Sequence, residues 1–108
     1  MKNLVSLIFL AAFILGPTAL AGHNSNLLKA ASEGKLEEVI MLIEEHHYDI
    51  DNQEGAFGMT PLHYALLNNN CHVAKYLITK NARTDLIAGF HGNTAADLIK
   101  SGHCRNQL

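Results

Sequence analysis

The chain has 108 residues, 48% of them apolar, and carries eight Lys and Arg against ten Asp and Glu. Without the first 21 residues, which have the pattern of an export signal, 87 remain, 37 of them apolar, with a net charge of −3. That charge excludes a basic nucleic-acid footprint and a polybasic membrane anchor, the apolar content excludes intrinsic disorder, and a chain this short forms one compact unit in which a deep catalytic pocket is hard to build.

Lys2 precedes an uncharged apolar run from Leu4 to Leu15, Gly16 and Pro17 are expected to break any helix there, and Ala19-Leu20-Ala21 supplies a small-x-small cleavage pattern. This is the order of a secretory signal, with cleavage expected after Ala21. The rival is an uncleaved anchor, because the uncharged stretch continues to Lys29. The strongly apolar part is 12 residues long, short of the roughly 20 that span a bilayer. The expected domains are therefore a signal peptide, 1–21, and a mature unit, 22–108, exported to a bacterial periplasm or secreted, with no membrane attachment.

Two markers recur in the mature part. Leu42-Ile43 returns as Leu77-Ile78, 35 residues on, and Gly58-Met59-Thr60 returns as Gly92-Asn93-Thr94, 34 residues on. Thr60 suits a helix N-cap, and Pro61 suits the first helical position, where no donor is needed. Leu62, Ala65 and Leu66 form one apolar stripe before Asn68-Asn69-Asn70 ends the helix, and Val73, Ala74, Leu77 and Ile78 form the stripe of a second helix ended by Asn81. Helices of eight to ten residues fall below the roughly 12 to 15 that are stable alone, so they must stack on neighbours.

Gly58-Met59-Thr60-Pro61-Leu62-His63-Tyr64-Ala65 resembles the G-x-T-P-L-H-x-A signature of the ankyrin repeat, and Val73 to Ile78 resembles its second helix. Ala30 to Val39, with Leu42-Ile43 following, is similar to a first repeat, and Gly92 to Ile99 to a closing repeat in which Asp97 stands where the family has His. The likeness spans about residues 25 to 103. It implies an all-α solenoid of two and a half to three helix-turn-helix repeats, at about 25–53, 54–87 and 88–108, with short hairpin fingers near 51–60 and 84–94. It also implies structural roles for Thr60, Pro61, Leu62 and His63, the His63 ring bonding to backbone and to Thr60. Asn69 and Asn81 replace the family's helix-ending glycines. The stretch His46 to Ile50 is one residue longer than its counterpart, and the loop from Leu86 to Gly92 is also lengthened.

Seven His invite a metal site, and Asp49 and Asp51 lie near His46-His47, but adjacent His diverge on a helix or strand and no H-x3-H or C-x2-C spacing occurs. No metal or cofactor is expected. Ser25, Ser32 and Ser101 lack any nucleophile signature and no Gly-rich phosphate loop is present, so no catalytic residue is assigned. Cys71 and Cys104 stand 33 apart. Strict repeat equivalence would separate them by about 8 to 10 Å, too far for a disulfide, whereas a tail folding back after Gly102 would bring them into range. Both arrangements stand open.

The resemblance implies a protein partner held on the concave face and finger tips. The matching positions are Ser32 and Glu33, then Ala56, Phe57, Met59, Leu67 and Asn68, then Phe90, His91 and Asn93. Phe57 and Phe90 either anchor that partner or pack under their own loops, and Glu33 would be a rim charge. The expected function is an exported interaction module that binds, and inhibits or protects, a protein. The alternatives are a secreted bacterial effector engaging a host protein and a His-based metal- or haem-handling protein.

Overall fold

The computed structural model describes residues 16–55, 57–89 and 91–108, with side chains from Ser25 onward. Five α-helices occur among the described residues: α1 (Gly16–Glu33), α2 (Leu36–Glu44), α3 (Pro61–Leu67), α4 (Cys71–Thr79) and α5 (Ala95–Lys100). Helix α1 packs on α2 and α3, α3 packs on α4 and α5, and α2 packs on α4. This is a row of helix pairs stacked side by side, and the expected all-α solenoid is what forms.

The stacking follows from the apolar stripes. Leu27, Ala30 and Ala31 of α1, Val39 and Leu42 of α2, Leu62, Ala65 and Leu66 of α3, Val73, Ala74 and Leu77 of α4, and Ala95 and Leu98 of α5 merge into one buried cluster. Alanines at 30, 31, 65, 74 and 95 are at most 1% exposed, and their small side chains let helix backbones approach closely.

Local chemistry sets each boundary. Thr60 (φ −83°, ψ 167°) caps α3 and Thr94 (φ −93°, ψ 165°) caps α5 in the same extended geometry, each in a reciprocal box with the residue three positions on. The three first helices end alike: Lys35, Asn70 and His103 donate their amides to the carbonyls of Ala30, Ala65 and Leu98 at 3.0, 2.7 and 3.1 Å. Each turn pivots on a left-handed residue, Gly34 (φ 74°), Asn69 (φ 55°) and Gly102 (φ 110°), and Asn81 (φ 66°) does the same after α4. At Gly34 a side chain would also meet Asn70 Oδ1 at 2.9 Å, so this turn needs glycine twice over.

The extra residue after α2 has a visible place. Where Ala82 donates to the Leu77 carbonyl five residues back, Tyr48 donates to Leu42 six back, and His46 reaches Met41 in a five-residue turn. His47 takes the left-handed angle there (φ 56°).

Three features read from the sequence are placed as follows. Gly16 and Pro17 stand at the start of the described helix, and the apolar run they were expected to end lies outside the described residues. The Leu4 to Leu15 run of the signal-peptide reading lies outside the described residues, and Ala19-Leu20-Ala21 lies within the described helix. The fingers form no strand among the described residues, and a single antiparallel bridge, Ala88 with Asn93, closes the second. Finally, Cys104 is the repeat equivalent of Cys71, yet their Cα atoms are 5.5 Å apart and the sulfurs are bonded. The 8 to 10 Å expected of equivalent helix positions is not reached because Cys104 has φ 56° and leads into turns, not into a second helix.

Candidate functional site

Two fingers and two helix faces meet at one end of the stack. Gln53 Nε2 donates to the Gly58 and Ile87 carbonyls at 3.1 Å each, tying the fingers together. The Gly89 amide donates to the Phe57 carbonyl at 2.8 Å. The Arg83 amide donates to Asp51 Oδ1 at 2.8 Å, and the Ala96 amide to the Thr84 carbonyl at 3.0 Å. Loops of this length stay ordered only when their backbone groups find such partners.

His63 joins the fingers to α3. Its backbone amide donates to Thr60 Oγ1 (3.2 Å), the Thr60 amide donates to its Nδ1 (3.3 Å), and Thr60 Oγ1 lies 2.7 Å from the same nitrogen. Its Nε2 lies 3.1 Å from the Asn93 carbonyl of the next finger. An amide can only donate, so Nδ1 accepts and Nε2 carries the proton; the network assigns this tautomer. Burial, at 2% exposure, holds the imidazole below its ordinary 6.5, against the opposing pull of the Asn93 and Leu86 carbonyls. In the next repeat Asp97 performs the local half of this work, its Oδ2 accepting from the Thr94 amide at 3.1 Å. That backbone bond, then the Thr94 hydroxyl, holds its carboxyl below the usual carboxylate range.

At His63 lies a depression of about 270 Å³, lined also by Phe57, Met59, Leu67 and Leu98 and by Ala88, Gly89, His91 and Asn93. Phe57 and Leu67 are each 44% exposed, which is high for large apolar side chains beside each other. Of the residues assigned from sequence, Phe57, Met59, Leu67, His91 and Asn93 are brought together here. Ser32, Glu33 and Asn68 sit to one side of it: Asn68 Nδ2 donates to Ser32 Oγ at 3.1 Å, and Glu33 pairs with Lys35 at 3.3 Å. Ala56 and Phe90 lie outside the described residues. Leu98, Ala88 and Gly89 were not singled out. Leu98 reads in sequence as an ordinary core position of a helical stripe, and nothing in the local pattern shows that its edge is left open.

Residues 27–78 match the family described as ankyrin repeats (many copies). The chain belongs to the ankyrin-repeat family. It is 38% identical over 73 residues to mouse ankyrin repeat and SAM domain-containing protein 6, and 37% identical over 73 residues to the rat protein of that name. Each match covers 68% of this chain and 8% of the relative, so the chain spans a small part of those proteins' length. Ankyrin repeats are protein–protein interaction modules, and the family therefore implies a protein partner here. The T-P-L-H turn at Thr60 to His63 lies within the matched residues. Among the described residues, no three His, Cys, Asp or Glu side chains are grouped to hold a metal ion, and no helix is long and apolar enough to cross a membrane.

Proposed function

We propose that this chain is an exported binding module that holds, and thereby inhibits or protects, a single protein partner through the depression between its fingers and α3. The observation that carries the reading is the convergence of Phe57, Met59, Leu67 and Leu98 on one open apolar hollow with a polar side at His91 and Asn93. Partner surfaces are commonly built in this way, with a few large apolar anchors surrounded by polar groups that exclude water. Phe57 is the anchor assigned here, with Phe90 its counterpart on the second finger and Glu33 a rim charge acting on association rate. Ala56, Ser32 and Asn68 complete the contact surface. The mode of action is binding and not catalysis, with no cofactor.

Export is supported by the Lys2, Leu4 to Leu15 and Ala19-Leu20-Ala21 pattern and by a disulfide, which persists in oxidising compartments. Affinity capture with the chain tagged at its C-terminus, from the cells that produce it, tests both parts. The expected result is a processed chain beginning at Gly22 in the extracytoplasmic fraction, co-purifying with one protein that the Phe57→Ala, Leu67→Ala double variant does not retain. Retention of that protein by the variant, or an intact N-terminal Met in the cytoplasm, contradicts the proposal.

A further inference from the structure

After α5 the chain runs through turns from residue 101 to 107, where the preceding repeat enters its second helix. Residues 101–108 contribute one buried side chain, Cys104 (5% exposed), while Arg105, Asn106, Gln107 and Leu108 are exposed. So little apolar surface cannot hold eight residues in place against their conformational entropy. Two links outside the repeat do so: the bond from Cys104 to Cys71 at the first position of α4, and His103 Nδ1, 3.0 Å from the Leu66 carbonyl at the end of α3. The second depends on the first, since a single surface-bordering hydrogen bond cannot order the segment alone. Helix α5, six residues long and held on α3 by Ala95 and Leu98, runs directly into this segment, and a helix so short depends on every tie at its ends. By contrast α1 to α4 form two complete pairs that cover one another.

We propose that the Cys71–Cys104 bond is a redox latch on the third repeat: its reduction frees residues 101–108 and α5, and with them the Leu98 wall of the depression, while α1 to α4 stay folded. The reductant is a dithiol. Its first thiolate bonds to Cys104 Sγ, and the electron pair of the broken Sγ–Sγ bond leaves on Cys71, at the positive end of α4, where no side chain caps the helix amides. The reductant's second thiolate then attacks its own sulfur on Cys104. It closes the reductant's disulfide and releases the Cys104 thiolate, so two electrons pass to the protein and each cysteine gains a proton. Cys71 and Cys104 are 7% and 5% exposed, so attack follows a local opening of the turns. The consequence for partner binding rests on the reading of the depression given above; the latch itself does not.

Amide hydrogen exchange on the full chain, oxidised and then held in dithiothreitol, tests the latch. Reduction is expected to speed exchange of the Leu98, Gly102 and His103 amides by roughly tenfold or more, and to leave Ala74 and Ala82 as protected as before. The Cys71→Ser, Cys104→Ser double variant should show the reduced pattern with or without dithiothreitol. Unchanged exchange at 98–103 on reducing the wild-type chain, or equal acceleration through α3 and α4, would overturn the latch. If α5 opens while the captured partner binds the reduced chain as tightly as the oxidised one, the surface assignment fails and the latch stands.

Discussion

His63 is kept neutral by the bonds that make it a cap. Protonating Nδ1 would turn the Thr60 amide against a second donor, and burial opposes the charge as well. The folded-state value lies below 6.5 and the unfolded value near it, so the unfolded chain binds more protons once the pH drops below 6.5. The stability contributed by neutral His63 is complete above 6.5 and is lost progressively as pH falls toward the depressed value. Urea midpoints measured from pH 7.5 down to 5.5 should decline in the wild type and decline less in His63→Asn, and the His63 ring should titrate below 6.5 by NMR. A ring titrating at or above 6.5 would contradict the lowering assigned here to burial.

Asn70 is a second residue whose role exceeds its position. Its Nδ2 donates to the Ala31 and Ser32 carbonyls at 2.9 and 2.7 Å, closing the end of α1 from the next repeat. Asn70→Ala should destabilise the fold by about 1 to 3 kcal/mol, since the Ser32 carbonyl loses this donor and the Ala31 carbonyl keeps only the Gly34 amide. Asn68→Ala, whose amide bridges exposed groups, should stay within about 0.5 kcal/mol. Thr60, Pro61 and His63 were legible because the T-P-L-H turn carries its own capping chemistry, and Asn69 and Asn81 because few residues accept left-handed angles. Asn70 and His103 were not, since both act on carbonyls more than thirty residues away in sequence. His47 and Cys104 were not, since neither residue type signals a positive φ.

At the level of elements, the apolar stripes located α3 and α4 and ordered their packing. Leu62 and Leu77, at 1% and 0% exposure, sit at the centre of the stacked pairs. Leu62→Ala or Leu77→Ala should each cost about 2 to 5 kcal/mol in a denaturant melt; a loss below about 0.5 kcal/mol, the range of a surface change, would contradict this register. A second tie joins α2 to α4: Tyr76 Oη donates to Glu44 Oε2 at 2.9 Å, and Lys80 Nζ stands 3.4 Å from Glu44 Oε1. Burial, then the Glu44 bond and charge, push the Tyr76 phenol up to about 12. Glu44→Gln should bring that absorbance midpoint down toward 10, and an unchanged midpoint would show that the bond does not persist in solution. The fingers were harder to read. Their lengths deviate from the repeat, and their order comes from Gln53 and from amide contacts between loops, which no periodicity encodes.

For the whole molecule, the described residues form two complete helix pairs followed by one further helix, α5. The Cys71–Cys104 bond ties the turns after α5 to the first residue of α4. Sequence left the pairing open because repeat equivalence and chain reversal predict opposite distances, and only the turn at Cys104 decides between them. The apolar hollow was half legible: Phe57, Met59 and Leu67 follow from matching positions, whereas the part played by Leu98 and Ala88 depends on how the third repeat ends.

The central claim is that this hollow, and not the opposite side of the stack, receives the partner. Titration calorimetry with the captured protein compares the wild type with Phe57→Ala, Leu67→Ala and with Met41→Ala, which alters an equally exposed apolar residue (41%) on α2. The double variant should bind at least about 30-fold more weakly, the loss expected when a central anchor of about 2 kcal/mol is removed, with its circular dichroism melt unchanged and Met41→Ala binding as wild type. Wild-type affinity in the double variant, or a comparable loss in Met41→Ala, would contradict the assignment.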